Sequence, residues 1–297
     1  MIKKHYISLL LIATIILVSC NSATSQAEND LAVMNAPAGT TELVEKTMIY
    51  KYASDELKLK STSTFTFNDE GKFLTHKQVF PEGQTISQNY TYDDQGRLSK
   101  IVDRNSNYDQ EIIKTYSYEG TNPLVIKVTV ENGQNYVPKI VQHFEGDKKT
   151  VEEIYNNDNV LRERTEFGDD MQTITYYTND GKLSSKRVKQ FKNGVEVKST
   201  TYDADGNPTR GVEYELDNNG NQIRSWMLDQ DMNRDRESYG YYYTYDNDAW
   251  VLRVSREIRD YGSGMVANLA VREIKGETNA SISEDEVIKE LKKIKID

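Results

Sequence analysis

A turn signal returns about every 12–14 residues from residue 48 to residue 274, and this more than anything else limits what the chain can fold into. The clearest units are FTFNDEGKF at 65–73 and YTYDDQGRL at 90–98. YTNDGKL at 177–183, YDADGN at 202–207 and YELDNNGN at 214–221 follow, and YTYDND at 243–248 is a copy without the glycine. Each unit is an alternating aromatic strand end, an Asp/Asn-Gly turn and a strand restart. Asn-Gly and Asp-Gly supply the positive φ angles of tight type I′ hairpins. Strands of about eight to ten residues joined by short loops result, about 18 of them over this span.

The strands alternate with period 2. Leu124, Ile126, Val128 and Val130 share one face; Val212, Tyr214 and Leu216 share another. Tyr241, Tyr243 and Tyr245 repeat the pattern, as do Trp250, Leu252 and Val254. One face of such a sheet meets a core and the other meets water. An open twisted sheet rarely exceeds about ten strands, so the expectation is an all-β, long antiparallel meander that curls or spirals, or wraps into a half-barrel. An outer-membrane barrel is set aside on Leu183 to Phe191. Ser184, Lys186, Val188 and Gln190 lie on one parity, Ser185, Arg187 and Lys189 on the other, so neither face suits lipid.

The period changes near the end. Ser283 followed by Glu286 is a capping box, and Val287, Leu291 and Ile294 fall at i, i+4 and i+7. One short amphipathic helix over about 284–295 is expected to dock on the sheet and cover its final edge.

At the other end, Lys3 and Lys4 precede an apolar stretch from Ile7 to Val18. Its twelve residues rise only about 18 Å as a helix, short of a ~30 Å hydrocarbon core, so it reads as a signal peptide. The string LVSC at 17–20 resembles the lipobox of bacterial lipoproteins, and Cys20 is the chain's single cysteine. The resemblance implies transfer of a diacylglyceryl group with palmitate-like chains to the Cys20 thiol and cleavage before Cys20, hence a membrane partner through a lipid anchor. Asn21 is not the Asp that marks inner-membrane retention in that family, which implies the outer membrane. The domain organisation expected is 1–19 signal peptide, 20–47 flexible lipidated tether, 48–280 hairpin-repeat domain and 281–297 C-terminal helix.

The YTYDDQGRL unit also resembles the YD repeat of RHS-type proteins, whose repeats form a spiralling β-sheet shell. That likeness implies architecture and an RHS- or secretion-associated envelope partner as one alternative; it says little about activity.

Functional candidates are few. Lys plus Arg total 37 against 47 Asp plus Glu, a net charge of −10, which argues against a nucleic-acid partner. His76 and His143 have no Cys or His at metal-ligand spacing, and no phosphate loop or nucleophile elbow is present. Asp229, Asp231, Asn233 and Asp235 have the spacing of half a calcium loop, but Arg234 stands where glycine is needed and Gly240 where the bidentate Glu is needed. The chain is read as a non-enzyme without cofactor or metal. The best binding surface is aromatic: Tyr241, Tyr243 and Tyr245 between Trp226 and Trp250, suited to a polysaccharide or an envelope protein. A carbohydrate-capturing or carbohydrate-active surface lipoprotein is the alternative to a scaffold, since acids abound without singling out a catalytic pair.

Overall fold

A computed structural model describes residues 30–108, 111–132, 139–257 and 266–294. The described residues form eighteen strands. The first six are β1 (Thr40–Lys51), β2 (Glu56–Phe67), β3 (Phe73–Val79), β4 (Thr85–Tyr92), β5 (Leu98–Asn105) and β6 (Ile112–Glu119). Then come β7 (Leu124–Glu131), β8 (Lys139–Glu145), β9 (Lys148–Tyr155), β10 (Leu161–Phe167), β11 (Met171–Tyr177) and β12 (Leu183–Lys192). The last six are β13 (Val195–Asp203), β14 (Pro208–Leu216), β15 (Gln222–Leu228), β16 (Arg234–Asp246), β17 (Ala249–Glu257) and β18 (Val266–Gly276). Two helices flank them, α1 (Asp30–Val33) and α2 (Glu284–Lys293).

Every strand pairs antiparallel with the next, and β18 pairs with β1 from Gly276↔Thr40 to Val266↔Lys51. The sheet is therefore a closed barrel, which overturns the open, curling meander expected from the sequence. Closure satisfies the hydrogen-bonding groups of both terminal strands, which an open sheet would leave bare. It also leaves no final edge for a helix to cover, and α2 does something else.

The turns depart from expectation too. At 68–72 only Gly71 has positive φ, and Gly71 N–H donates to Asn68 O while Asn68 N–H donates to Lys72 O. The Asn68 side chain accepts from the Glu70 and Lys72 amides. Asp93, Asp203 and Asp217 build the same turn, with Gly96, Gly206 and Gly220 at positive φ. This is a type I turn followed by a left-handed glycine and a bulge, and the ladder register shifts beside each one. Two-residue turns with both φ positive occur at Asn193-Gly194 and Asn247-Asp248. The acidic tip at 229–233 is the same bulged turn, closed by Asn233 N–H to the Asp229 carboxylate, with Met232 in the left-handed position.

The two faces of the wall differ. One carries Ile101, Val128, Ile154 and Ile174, all buried, with His76, Gln88, Glu152 and Thr165. The other carries exposed Lys77, Arg104, Lys127, Glu166, Lys186 and Gln190. The first is the lumen face. Eighteen strands enclose more space than side chains fill, and Arg187 and Arg210 on this face remain exposed.

The region from Asp30 onward is packed, so the leash expected over 20–47 does not extend through its later part. Leu31 of α1 is buried against lumen-face Leu43, Phe65, Phe67, Phe73 and Ile274. The Leu31 amide donates to Gly71 O, and Asp30 accepts from the Phe73 amide at 2.6 Å. That pocket is apolar enough for burial to raise the Asp30 pKa despite this bond and nearby Lys72. The signal peptide, Cys20 and the tether up to residue 29 lie outside the described residues.

The helix α2 has the capping box expected of Ser283 and Glu286. Its Val287 and Leu291 seat on Tyr50, Leu252, Val254, Ala267 and Leu269, on the outer side of β1, β17 and β18. A register shift between Thr244 and Tyr245 places an extra residue, Val251, in β17. Trp250 therefore faces the lumen while Leu252 and Val254 face outward, so the three do not share the face that simple alternation gives them.

Candidate aromatic cleft

The longest strand, β16, alternates tyrosine over its second half, so its register decides which rings meet. Tyr243 pairs with Arg253 and Tyr245 with Trp250, all on the lumen face. Tyr239 and Tyr241 stack at 6.2 Å between ring centroids, Tyr243 and Tyr245 lie at 6.3 Å, and Trp250 meets Tyr243 edge-on at 6.0 Å. Four of the five residues expected in the strip are thus brought together. Trp226 is not. It pairs with Glu213 and Glu237 on the outer face, under the Arg234 guanidinium at 3.8 Å.

Trp250 is only 4% exposed and lies 3.4 Å beneath the Arg272 guanidinium, so its ring supports the strip from below. Arg272 donates to Glu45 at 2.8 Å and to the Met34 carbonyl at 2.7 Å, tying β18, β1 and the α1 segment together. Burial pulls its pKa down to about 10, opposed by Glu45, which leaves it cationic at neutral pH.

The β15–β16 ladder ends at the Arg224↔Gly240 pair, although β16 runs on to Asp246. The strands part beyond that point and leave a cleft of about 410 Å³. Tyr241, Tyr243 and Tyr245 line it from the lumen side, and Tyr242, Arg224 and Glu237 from the outer side. Tyr242 is 43% exposed, so the neighbour of opposite parity is wet rather than part of the core. At the rim the Tyr245 hydroxyl donates to Asp217 at 2.9 Å and accepts from Asn221 at 2.6 Å, which fixes the ring. Burial raises the Tyr243 hydroxyl to about 12 and the Tyr241 hydroxyl in the same direction. Both remain neutral donors. Asp217, Ile223, Arg224 and Glu237 were not legible as site residues, because only the parting of two strands brings them to the tyrosines. A second hollow of about 460 Å³ lies at the rim, formed mainly by the turns at 120–122 and 146–147 with Arg97 and Phe144. Among the described residues no three His, Cys, Asp or Glu side chains are grouped to hold a metal ion.

His76 lies elsewhere on the lumen face, stacked on Phe65 at 4.4 Å, with Nδ1 donating to Gln88 at 3.3 Å. Gln88 in turn donates to Asp103, which pairs with Lys114. The Nε2 atom is buried with no hydrogen-bond partner among the described residues, so a proton there would be an unpartnered buried donor. Burial accordingly lowers the His76 pKa, outweighing the Gln88 bond. The unfolded chain takes up this proton near the ordinary 6.5 and the folded chain only at lower pH. Stability from this group is therefore full above about pH 6.5 and falls as pH drops below it. The urea midpoint should fall more between about pH 7.5 and pH 5 in the native protein than in His76→Gln. Equal falls would contradict the assignment.

No protein-family model matches the chain, and no curated protein matches it. Among solved structures, a porin-like protein from Bacteroides uniformis is similar over 80% of this chain and 98% of its own, at 14% identity and a TM-score of 0.43. A Tc holotoxin pore from Photorhabdus luminescens is similar over 80% of this chain at 12% identity and a TM-score of 0.28. The match spans 14% of that toxin chain.

Proposed function

We propose that the protein is a non-enzymatic lipoprotein of the cell envelope, whose closed barrel stands in water and binds a ligand at its aromatic cleft. The observation that carries this reading is the outer face of the barrel. A membrane-spanning barrel needs an apolar outward band about 25 Å tall. Here Arg104, Lys127, Glu166, Lys186 and Gln190 occupy outward positions on four strands, each exposed. Attachment then falls to the N-terminal segment, where the lipobox-like string ends at Cys20, and Asn21 favours the outer membrane. The ten residue steps from Cys20 to Asp30 reach at most about 36 Å, which holds the α1 end of the barrel near the lipid. The resemblance of the hairpins to YD repeats supports a repeat-built shell, here closed on itself.

Growth with an alkynyl fatty acid should label the native protein, and Cys20→Ala should abolish the label and move the barrel to the soluble fraction. A Cys20→Ala protein that stays in the membrane fraction would reject the reading.

A further inference from the structure

The lumen wall from β12 to β17 carries cations on the same face as the tyrosines, in a chain whose net charge is −10. Arg187 pairs with Thr201, and Thr201 pairs with Arg210, so the two guanidinium groups lie in one row two strands apart. At about 4.8 Å per strand, their backbones stand roughly 10 Å from each other. Tyr214 is four residues along β14 from Arg210 and senses Arg210, Arg187 and Tyr241 electrostatically. Tyr243 pairs directly with Arg253, which also lies 5.4 Å from the Trp250 ring. The neighbouring Lys189 and Arg272 are occupied by Glu196 and Glu45. Among the described residues, Arg187, Arg210 and Arg253 have no carboxylate within salt-bridge distance, and Glu163 near Arg187 is held toward its neutral form by burial.

We infer that this wall binds an acidic oligosaccharide, a sugar chain bearing carboxylates, laid across β12–β17 with Tyr241 and Tyr243 under its rings. This rests on the reading of the barrel as a ligand-binding protein and names the ligand's class. Arginine presents a planar fork that grips a carboxylate through two hydrogen bonds. Tyrosine faces stack on sugar rings while their neutral hydroxyls donate to sugar oxygens. Three cations set among tyrosines match a short run of carboxylates carried on sugar rings. A nucleic acid, a long polyanion of phosphates, would run past these cations onto the acidic remainder of the chain and be repelled.

The test is calorimetric titration of the full-length lipidated protein in detergent with tetragalacturonate, its methyl ester, cellotetraose and a single-stranded oligothymidylate. Tetragalacturonate should bind, and the ester and cellotetraose at least tenfold more weakly. Arg253→Gln and Arg210→Gln should each weaken binding about tenfold, and Tyr241→Ala should weaken it further. Lys198→Gln on the outer face should leave it unchanged. Equal binding of the ester would overturn the charge requirement while leaving the aromatic cleft as a sugar site. Tighter binding of oligothymidylate would replace the ligand class. Absence of all binding by protein with a native circular dichroism spectrum would reject the site itself. The envelope reading has its own readout in the Cys20 label.

Discussion

Arg272→Met should lower the unfolding free energy by about 3–5 kcal/mol, read from urea titration. Arg272 is 5% exposed, and Glu45 opposite it has a side chain 20% exposed. Removing the guanidinium leaves the Glu45 carboxylate and the Met34 carbonyl without their donor. It also removes the cation over Trp250. A carboxylate stripped of its partner in a low-dielectric wall costs far more than the pair contributes when intact. Glu45→Met combined with Arg272→Met should therefore recover most of the loss, because no charge is left uncompensated. A single variant within about 1 kcal/mol of the native protein would show that water reaches Glu45 freely.

Arg272 also shows why closure was hidden. Its partners, Glu45 on β1 and Met34 just after α1, stand at the opposite end of the chain, and pairing between the first and last strands leaves no local pattern. The turns were legible because each is written in four or five consecutive residues. Asn68 to Lys72 and Asp217 to Asn221 bring their own side-chain caps and a glycine. The beginning of β1 was missed for a different reason. Its lumen positions run Leu43, Glu45, Thr47, so an apolar alternation breaks where the inside of the barrel is polar. A sheet whose inner face holds ion pairs and whose outer face holds lysines offers no clean hydrophobic stripe to read.

The aromatic strip was half legible. Tyr241, Tyr243 and Tyr245 share a parity on one strand, and parity within a strand is certain once the strand is placed. Parity between strands is not. A bulged residue, Ser238, lies between the register of Trp226 and that of Ser225, and Trp226 ends on the other side of the wall. The arginines were invisible as a group for the same reason. Arg187, Arg210 and Arg253 sit on three strands, and only the registers of β12 through β17 place them beside the tyrosines.

The helix α2 replaces a missing layer. Most of the outer wall is polar, but Tyr50, Leu252, Val254, Ala267 and Leu269 turn apolar side chains outward on three adjoining strands. Val287 and Leu291 bury themselves there, and Leu291 is fully inaccessible. Leu291→Ala should cost about 2–5 kcal/mol, the range for a leucine removed from a packed site. Ser283→Ala, which deletes only the cap, should cost about 1 kcal/mol. Lys292→Ala, on the exposed side, should change stability by no more than about 0.5 kcal/mol. A chain ended before Ser283 would expose the whole apolar patch beside the β18–β1 seam, and should elute as aggregates and bind a hydrophobic dye. If that truncated chain remained monomeric with an unchanged urea midpoint, α2 would be an ornament on a barrel that closes without it.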